Sequence, residues 1–176
     1  MIYRQKGEIA MKTIVQHPIW GQITYNENIW TGKKSIALNR LVAQRVSKKE
    51  FLIDNKRALI DGDYLRGATL YFDNETIELS PKPKWYEIAL SLLPILFLLT
   101  WGNNPSLCAI FPVIGGALGG ALGGFAIIIS LMLMKKTQAT ITKVLIGIGI
   151  LAATVLIGYV FALAYILLVF NIVYGA

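Results

Sequence analysis

VLIGIGILAATVLIGYVFALAYILLVF, residues 144–170, runs for 27 residues without a charged side chain. A helix rising 1.5 Å per residue needs about 20 apolar residues to cross a hydrocarbon core of about 30 Å. The run therefore predicts a membrane-spanning helix. Two more apolar stretches precede it, 85–101 and 108–134, set apart by polar punctuation. The first is short and contains Glu87 and Pro94, so it spans only with Trp85, Tyr86 and Trp101 at the two interfaces, where aromatic belts form. The expectation is a three-helix transmembrane bundle over 85–176. Its first connection, Gly102 to Leu107, is uncharged and rich in turn formers, as a tight helical hairpin requires.

Composition divides the chain at the same place. Overall 55% of residues are hydrophobic and 15% charged, against about 25% charged in ordinary soluble domains. Yet 14 of the 17 Lys and Arg, and all acids but Glu87, lie before Trp85. A single soluble domain is excluded. So is disorder, because so apolar a chain can offset its ordering entropy.

Charge placement gives orientation. Lys82, Lys84, Lys135, Lys136 and Lys143 flank the spans on one side, while the Asn103–Asn104 loop and the tail after Phe170 carry none. By the positive-inside rule the amino-terminal domain is expected in the cytoplasm and the carboxy terminus outside. Residues 1–30 hold no apolar run fit for a signal-peptide core, which agrees with a cytoplasmic first half. Glu87, beside Tyr86 and Lys84, is expected at the interface rather than buried, since burying a charge in a bilayer is expensive.

The first half reads as β structure. Residues 1–13 are expected to be an extension, and 14–84 a small antiparallel β-sandwich of six to eight strands. Gln22–Tyr25, Ser35–Leu38 and Phe51–Ile53 alternate. Asn39-Arg40, Asn55-Lys56, Asp61-Gly62-Asp63 and Asp73-Asn74 fall between runs and favour turns. For Asp61 and Asp63 a weak cation loop is the other reading, but further oxygen ligands at calcium-loop spacing are missing. The net charge of +5 over residues 1–84 comes without a nucleic-acid recognition helix or RNA-binding aromatics. Anionic lipid headgroups are the expected partner, through Lys82, Lys84 and the Lys33-Lys34 and Lys48-Lys49 pairs; no nucleic acid is expected.

Two resemblances arise here. Thr31–Asn39, Val46–Ile53 and Ala68–Ile77 resemble the β-sandwich of the Fas apoptosis inhibitory molecule family, where a Gly-Lys/Arg pair also leads into a strand, a turn and a Lys-rich hairpin. The layout with His17-Pro18-Ile19-Trp20-Gly21 at its start is similar to a family of bacterial membrane proteins with an amino-terminal β-domain and three transmembrane helices. Both imply a non-enzymatic β-domain, and the second implies a bacterial cytoplasmic membrane.

No catalytic or cofactor-binding constellation is evident. His17 is the one histidine and Cys108 the one cysteine, too few for a usual metal site. His17 is expected at a strand edge. Cys108 is expected either to pack or to link two molecules.

The sharpest local pattern is Gly115-Gly116-Ala117-Leu118-Gly119-Gly120-Ala121-Leu122-Gly123-Gly124. At 100° per residue the glycines make one smooth helix side and Leu118, Leu122 and Phe125 the opposite ridge. Small residues allow close helix approach in membranes. Two readings stay open: the smooth side receives the other helices of the same chain, or it is a homo-oligomer interface of a channel or transporter subunit. The expected function is a non-enzymatic membrane protein whose β-domain binds a protein or the membrane surface, with the oligomeric subunit as the alternative.

Overall fold

The computed structural model describes residues 10–175, with the side chains of Ala10 and Tyr174 left aside. The chain forms two compact units, one ending at Lys82 and the other beginning at Pro83.

The described part of the first unit is all antiparallel β. Strands β1 (Ala10–His17), β2 (Gly21–Asn28), β3 (Lys34–Leu38) and β4 (Leu41–Val42) make one sheet in that order. A second sheet follows with β5 (Gln44–Arg45), β6 (Glu50–Ile53), β7 (Lys56–Asp63), β8 (Gly67–Phe72) and β9 (Glu75–Ser80). Each strand pairs with its chain neighbour, except where Ala43 carries the chain from one sheet to the other.

Three hairpins close on residue pairs with both φ angles positive: Asn39 and Arg40 (47° and 74°), Asp54 and Asn55 (47° and 62°), and Asp73 and Asn74 (51° and 65°). This is the turn whose twist matches the flanking strands. Two of these pairs were expected as turns, and the third lies one residue earlier than expected. Alternate residues point inward, burying Ile23, Tyr25, Ile36 and Leu38 in the first sheet. In the second, Phe51, Ile53, Ile60, Leu70, Phe72, Ile77 and Leu79 are buried. Each large apolar side chain removed from water contributes about 1.5–3 kcal/mol.

Other expectations need correction. The β structure begins before the expected boundary at residue 14, because β1 starts at Ala10 and Met11 is buried. Among the described residues nine strands form rather than six to eight, since β4 and β5 are only two residues each. Asp61-Gly62-Asp63 is not a turn. It lies in β7, paired to Gly67, Ala68 and Thr69, with Gly62 at φ +80°; the chain reverses at residues 64–66 instead.

The second unit is helical: α1 (Trp85–Trp101), α2 (Pro105–Ile110), α3 (Gly116–Met134) and α4 (Thr140–Tyr174). Two helices, α3 and α4, are long and apolar enough to cross a membrane; α1 is a shorter apolar helix of 17 residues. The expected single helix over 108–134 is broken. Pro112 lacks an N–H and pushes Phe111 to an extended conformation, and Gly116 takes φ +59°. Freed backbone groups find new partners there. Trp101 Nε1 donates to Phe111 O at 2.9 Å, and Ile114 N donates to Gly158 O at 3.2 Å. Asn103 Oδ1 accepts from Gly116 N at 2.9 Å.

Helix α4 is longer at both ends than the apolar run 144–170. Lysine is a good helix former, so Lys143 does not interrupt it. The start at Thr140 puts Lys143 in the first turn, facing α1. Contacts fix the directions: Gly119 and Gly123 lie against Leu98 and Ile95, so α3 runs antiparallel to α1. Gly147 and Gly158 lie against Leu90 and Leu98, so α4 runs parallel to α1.

Candidate functional site

Among the described residues two carboxylates are buried, Glu27 in the β unit and Glu87 in the helical unit. In the helical unit Glu87 Oε1 lies 2.6 Å from Lys143 Nζ, with side chains only 4% and 10% exposed. Its other oxygen accepts from Lys84 N at 3.1 Å, capping the first turn of α1. Two readings change: the Glu87 side chain is buried within the helical unit, and Lys143 lies in α4 and not in the α3–α4 loop. The physical reason is mutual. Each charge offsets the desolvation of the other, and neither would be tolerated there alone. Ser91, one turn along α1, is buried and donates to Ile88 O at 2.8 Å. Ser130 of α3 is also buried, and its Oγ has no hydrogen-bond partner among the described residues.

The remaining cationic flank divides by position. Lys135 caps the carboxy end of α3, half-buried, and Lys136 follows it, exposed. Lys84 is the amino-terminal cap of α1, with its ammonium 6.0 Å from the Tyr86 ring. Trp85 is exposed and edge-on to Tyr86, while Trp101 stacks on Phe97 at 5.2 Å. Lys82 belongs to the β unit, its stem lying over Gly67.

The glycine stripe separates into two faces. A Cβ at Gly123 would sit 2.6 Å from Ile95 Cα, and one at Gly119 would approach Leu98. Gly115 packs on Gly102 in the same way. A Cβ at Gly116, Gly120 or Gly124 would meet nothing within 4 Å. One face thus receives α1 of the same chain and the other is open. Cys108 is half-buried, with its thiol 3.3 Å from Trp101 O.

In the β unit Glu27 accepts from Tyr25 Oη at 2.6 Å and from Tyr64 N at 2.5 Å. Ser80 Oγ donates to Tyr64 O at 2.8 Å, so the network ties β2 to the β7–β8 turn and β9. Burial and the neighbouring Glu27 carboxylate push the Tyr25 phenol well above its ordinary value of 10.0. Tyr25 therefore stays a donor at any physiological pH.

The His17–Gly21 motif builds a clasp between the sheets. His17 Nδ1 accepts from Trp20 N at 3.4 Å, and the Trp20 indole crosses to pack edge-on against Phe72 at 4.8 Å. Its Nε1 donates to Glu75 at 2.9 Å, the same carboxylate oxygen that lies 3.4 Å from His17 Nε2. Lys56 sits 5.7 Å from the Trp20 ring and pairs with Asp73 at 2.7 Å. Trp20 is legible in the sequence only as part of the His17–Gly21 motif, without a role; its place three residues after His17, just before a glycine, is the available signal.

A further feature is exposed. From Arg40 to Lys49 every residue is exposed except the half-buried Ala43. Leu41, Val42 and Val46 are open aliphatics, Val42 at 76%. Lys49 pairs with Asp61 at 2.9 Å, and Lys34 Nζ donates to the adjoining Gly62 carbonyl. The Lys49 ammonium, by hydrogen bond and charge, holds the Asp61 carboxyl below its ordinary range, with lesser help from Gly62 and Lys34.

Among the described residues no group of three or more His, Cys, Asp and Glu side chains could hold a metal ion. No protein-family model, no curated protein and no solved structure matches the chain.

Proposed function

We propose that the chain is an integral membrane protein in which the helical unit anchors the β unit at the cytoplasmic face, and that the β unit is a non-enzymatic binding module. One observation carries the membrane reading. In α3 and α4 only 28% and 17% of the most apolar window is buried inside the chain. The core helix of a water-soluble protein would be mostly buried, and so much outward apolar surface calls for a lipid solvent. Helix α1, with its charge neutralised by Lys143, serves as the third span. The cytoplasmic side is assigned from Lys82, Lys84, Lys135 and Lys136. Lys143 contributes by pairing and not by facing headgroups.

The binding role rests on what the β unit exposes: open aliphatic and cationic side chains on a rigid scaffold. Alkaline carbonate extraction followed by flotation tests the anchoring. The chain is expected to stay with the floating membrane fraction, and release into the supernatant would refute the proposal.

A second reading, a subunit that associates through α3 into an oligomeric channel or transporter, is favoured by the open Gly116, Gly120 and Gly124 face. Disulfide crosslinking of Gly120→Cys in a Cys108→Ser chain tests it. A dimer band in native membranes supports association, and a monomer band alone removes it.

A further inference from the structure

Between Glu27 and Glu50 the chain carries six Lys or Arg and no acidic residue. Within that stretch β4 and β5 are the outer strands of the two sheets, so residues 40–49 form one continuous margin of the β unit. Arg40 and Lys48 make no ion pair among the described residues, and Arg45 Nε donates only to the Ser47 carbonyl, at 3.0 Å. Between these cations stand Leu41, Val42 and Val46, exposed at 69%, 76% and 57%. Leu41 and Val42 are successive residues of β4 and point to its opposite faces, so the exposed aliphatics line the edge of the margin and not one sheet face. A margin built to pair with another strand would offer a longer edge than two residues.

We infer that this margin is a contact site for an anionic phospholipid surface, with Leu41, Val42 and Val46 entering the headgroup boundary and Arg40, Arg45 and Lys48 meeting the phosphates. The inference rests on the proposed binding role of the β unit and names its partner. Charge complementarity selects lipid: a basic group near an anionic leaflet gains about 1 kcal/mol, while aliphatic insertion adds the apolar term. Single-stranded nucleic acid would be met by aromatic stacking platforms instead of branched aliphatics.

The test uses the full chain in vesicles of phosphatidylcholine, with or without phosphatidylglycerol. A fluorophore is placed on Val42→Cys, and in a second variant on Val46→Cys, both with Cys108→Ser. Both probes are expected to shift to the blue and be quenched by doxyl-labelled lipid when phosphatidylglycerol is present. Each of Arg40→Gln and Lys48→Gln should lower the quenched fraction about fivefold. A probe at Thr76→Cys, on the opposite outer strand β9, should not be quenched. Equal quenching with and without phosphatidylglycerol overturns the inference. So does a probe response that depends on protein concentration and not on lipid charge, which would assign the margin to a second copy. Failure of the chain to float with vesicles takes down the anchoring proposal as well; flotation without quenching removes this site alone.

Discussion

Among the described residues the β unit and the helical unit each bury one carboxylate, and they hold it by different means. Glu27 is held by neutral donors, the Tyr25 hydroxyl and the Tyr64 amide. Glu87 is held by an opposite charge, the Lys143 ammonium, plus the Lys84 amide. A strand meander brings distant backbone N–H groups to a buried acid, because its turns and edges leave donors over. Helices have spent their interior donors on their own carbonyls. An acid inside them needs a side-chain cation from a neighbour, and this one comes from 56 residues away.

The comparison breaks most visibly at the ion pair. Lys143→Leu leaves Glu87 buried and unpaired, and is expected to cost about 3–5 kcal/mol of helical-unit stability. In a denaturation series in detergent, the double change Glu87→Leu with Lys143→Leu should recover most of that loss. If the double variant is as unstable as the single one, the pair is not what makes the charge tolerable.

Helix packing gives the next largest effect. Gly123→Leu forces a side chain into the Ile95 backbone and is expected to destabilise by about 1–3 kcal/mol. Gly124→Ala, on the open face, should raise stability by up to about 1 kcal/mol through helix propensity. Equal losses at both positions would mean that both faces are packed.

In the β unit, Tyr25→Phe removes a donor from a buried carboxylate and is expected to cost about 1–3 kcal/mol. The pH dependence has a definite sign. The Tyr25 phenol ionises at a higher pH folded than unfolded, so its contribution is full below the ordinary tyrosine value of 10.0. It is lost as pH rises from there towards the folded value. Thermal melts of the β unit should therefore fall above that pH in the native chain, and fall less in Tyr25→Phe.

The smallest effect belongs to Asp63. Burial pushes its carboxyl up, but the Arg66 amide and guanidinium outweigh this and hold it below its ordinary value of 3.8. Its contribution is present above the ordinary carboxylate range and is lost as pH falls below it. Arg66→Ala should narrow that acid-side loss in a melt series.

Much of this architecture is legible in the residues, for stated reasons. Asn39-Arg40 and Asp73-Asn74 read as turns because few side chains tolerate consecutive positive φ. The boundary near residue 84 reads from charge. Gly62 misleads because the same tolerance that suits a turn also suits an irregular strand residue whose neighbour leaves no room for a Cβ. Lys143 misleads because polarity was read as a break, whereas its partner Glu87 is visible only in three dimensions. Pro112 sits inside an apolar run, and hydropathy is blind to its missing N–H. The split of the glycine stripe into a packed and an open face depends on where α1 lies, which periodicity alone leaves open.

The account turns on the helical unit crossing a membrane with the β unit on the cytoplasmic side. Single cysteines at Ser47→Cys and Ser106→Cys, each in a Cys108→Ser chain, read this directly with a membrane-impermeant maleimide on intact cells. The prediction is labelling at position 106 from outside and at position 47 only after permeabilisation. Labelling of both positions from the same side would contradict it.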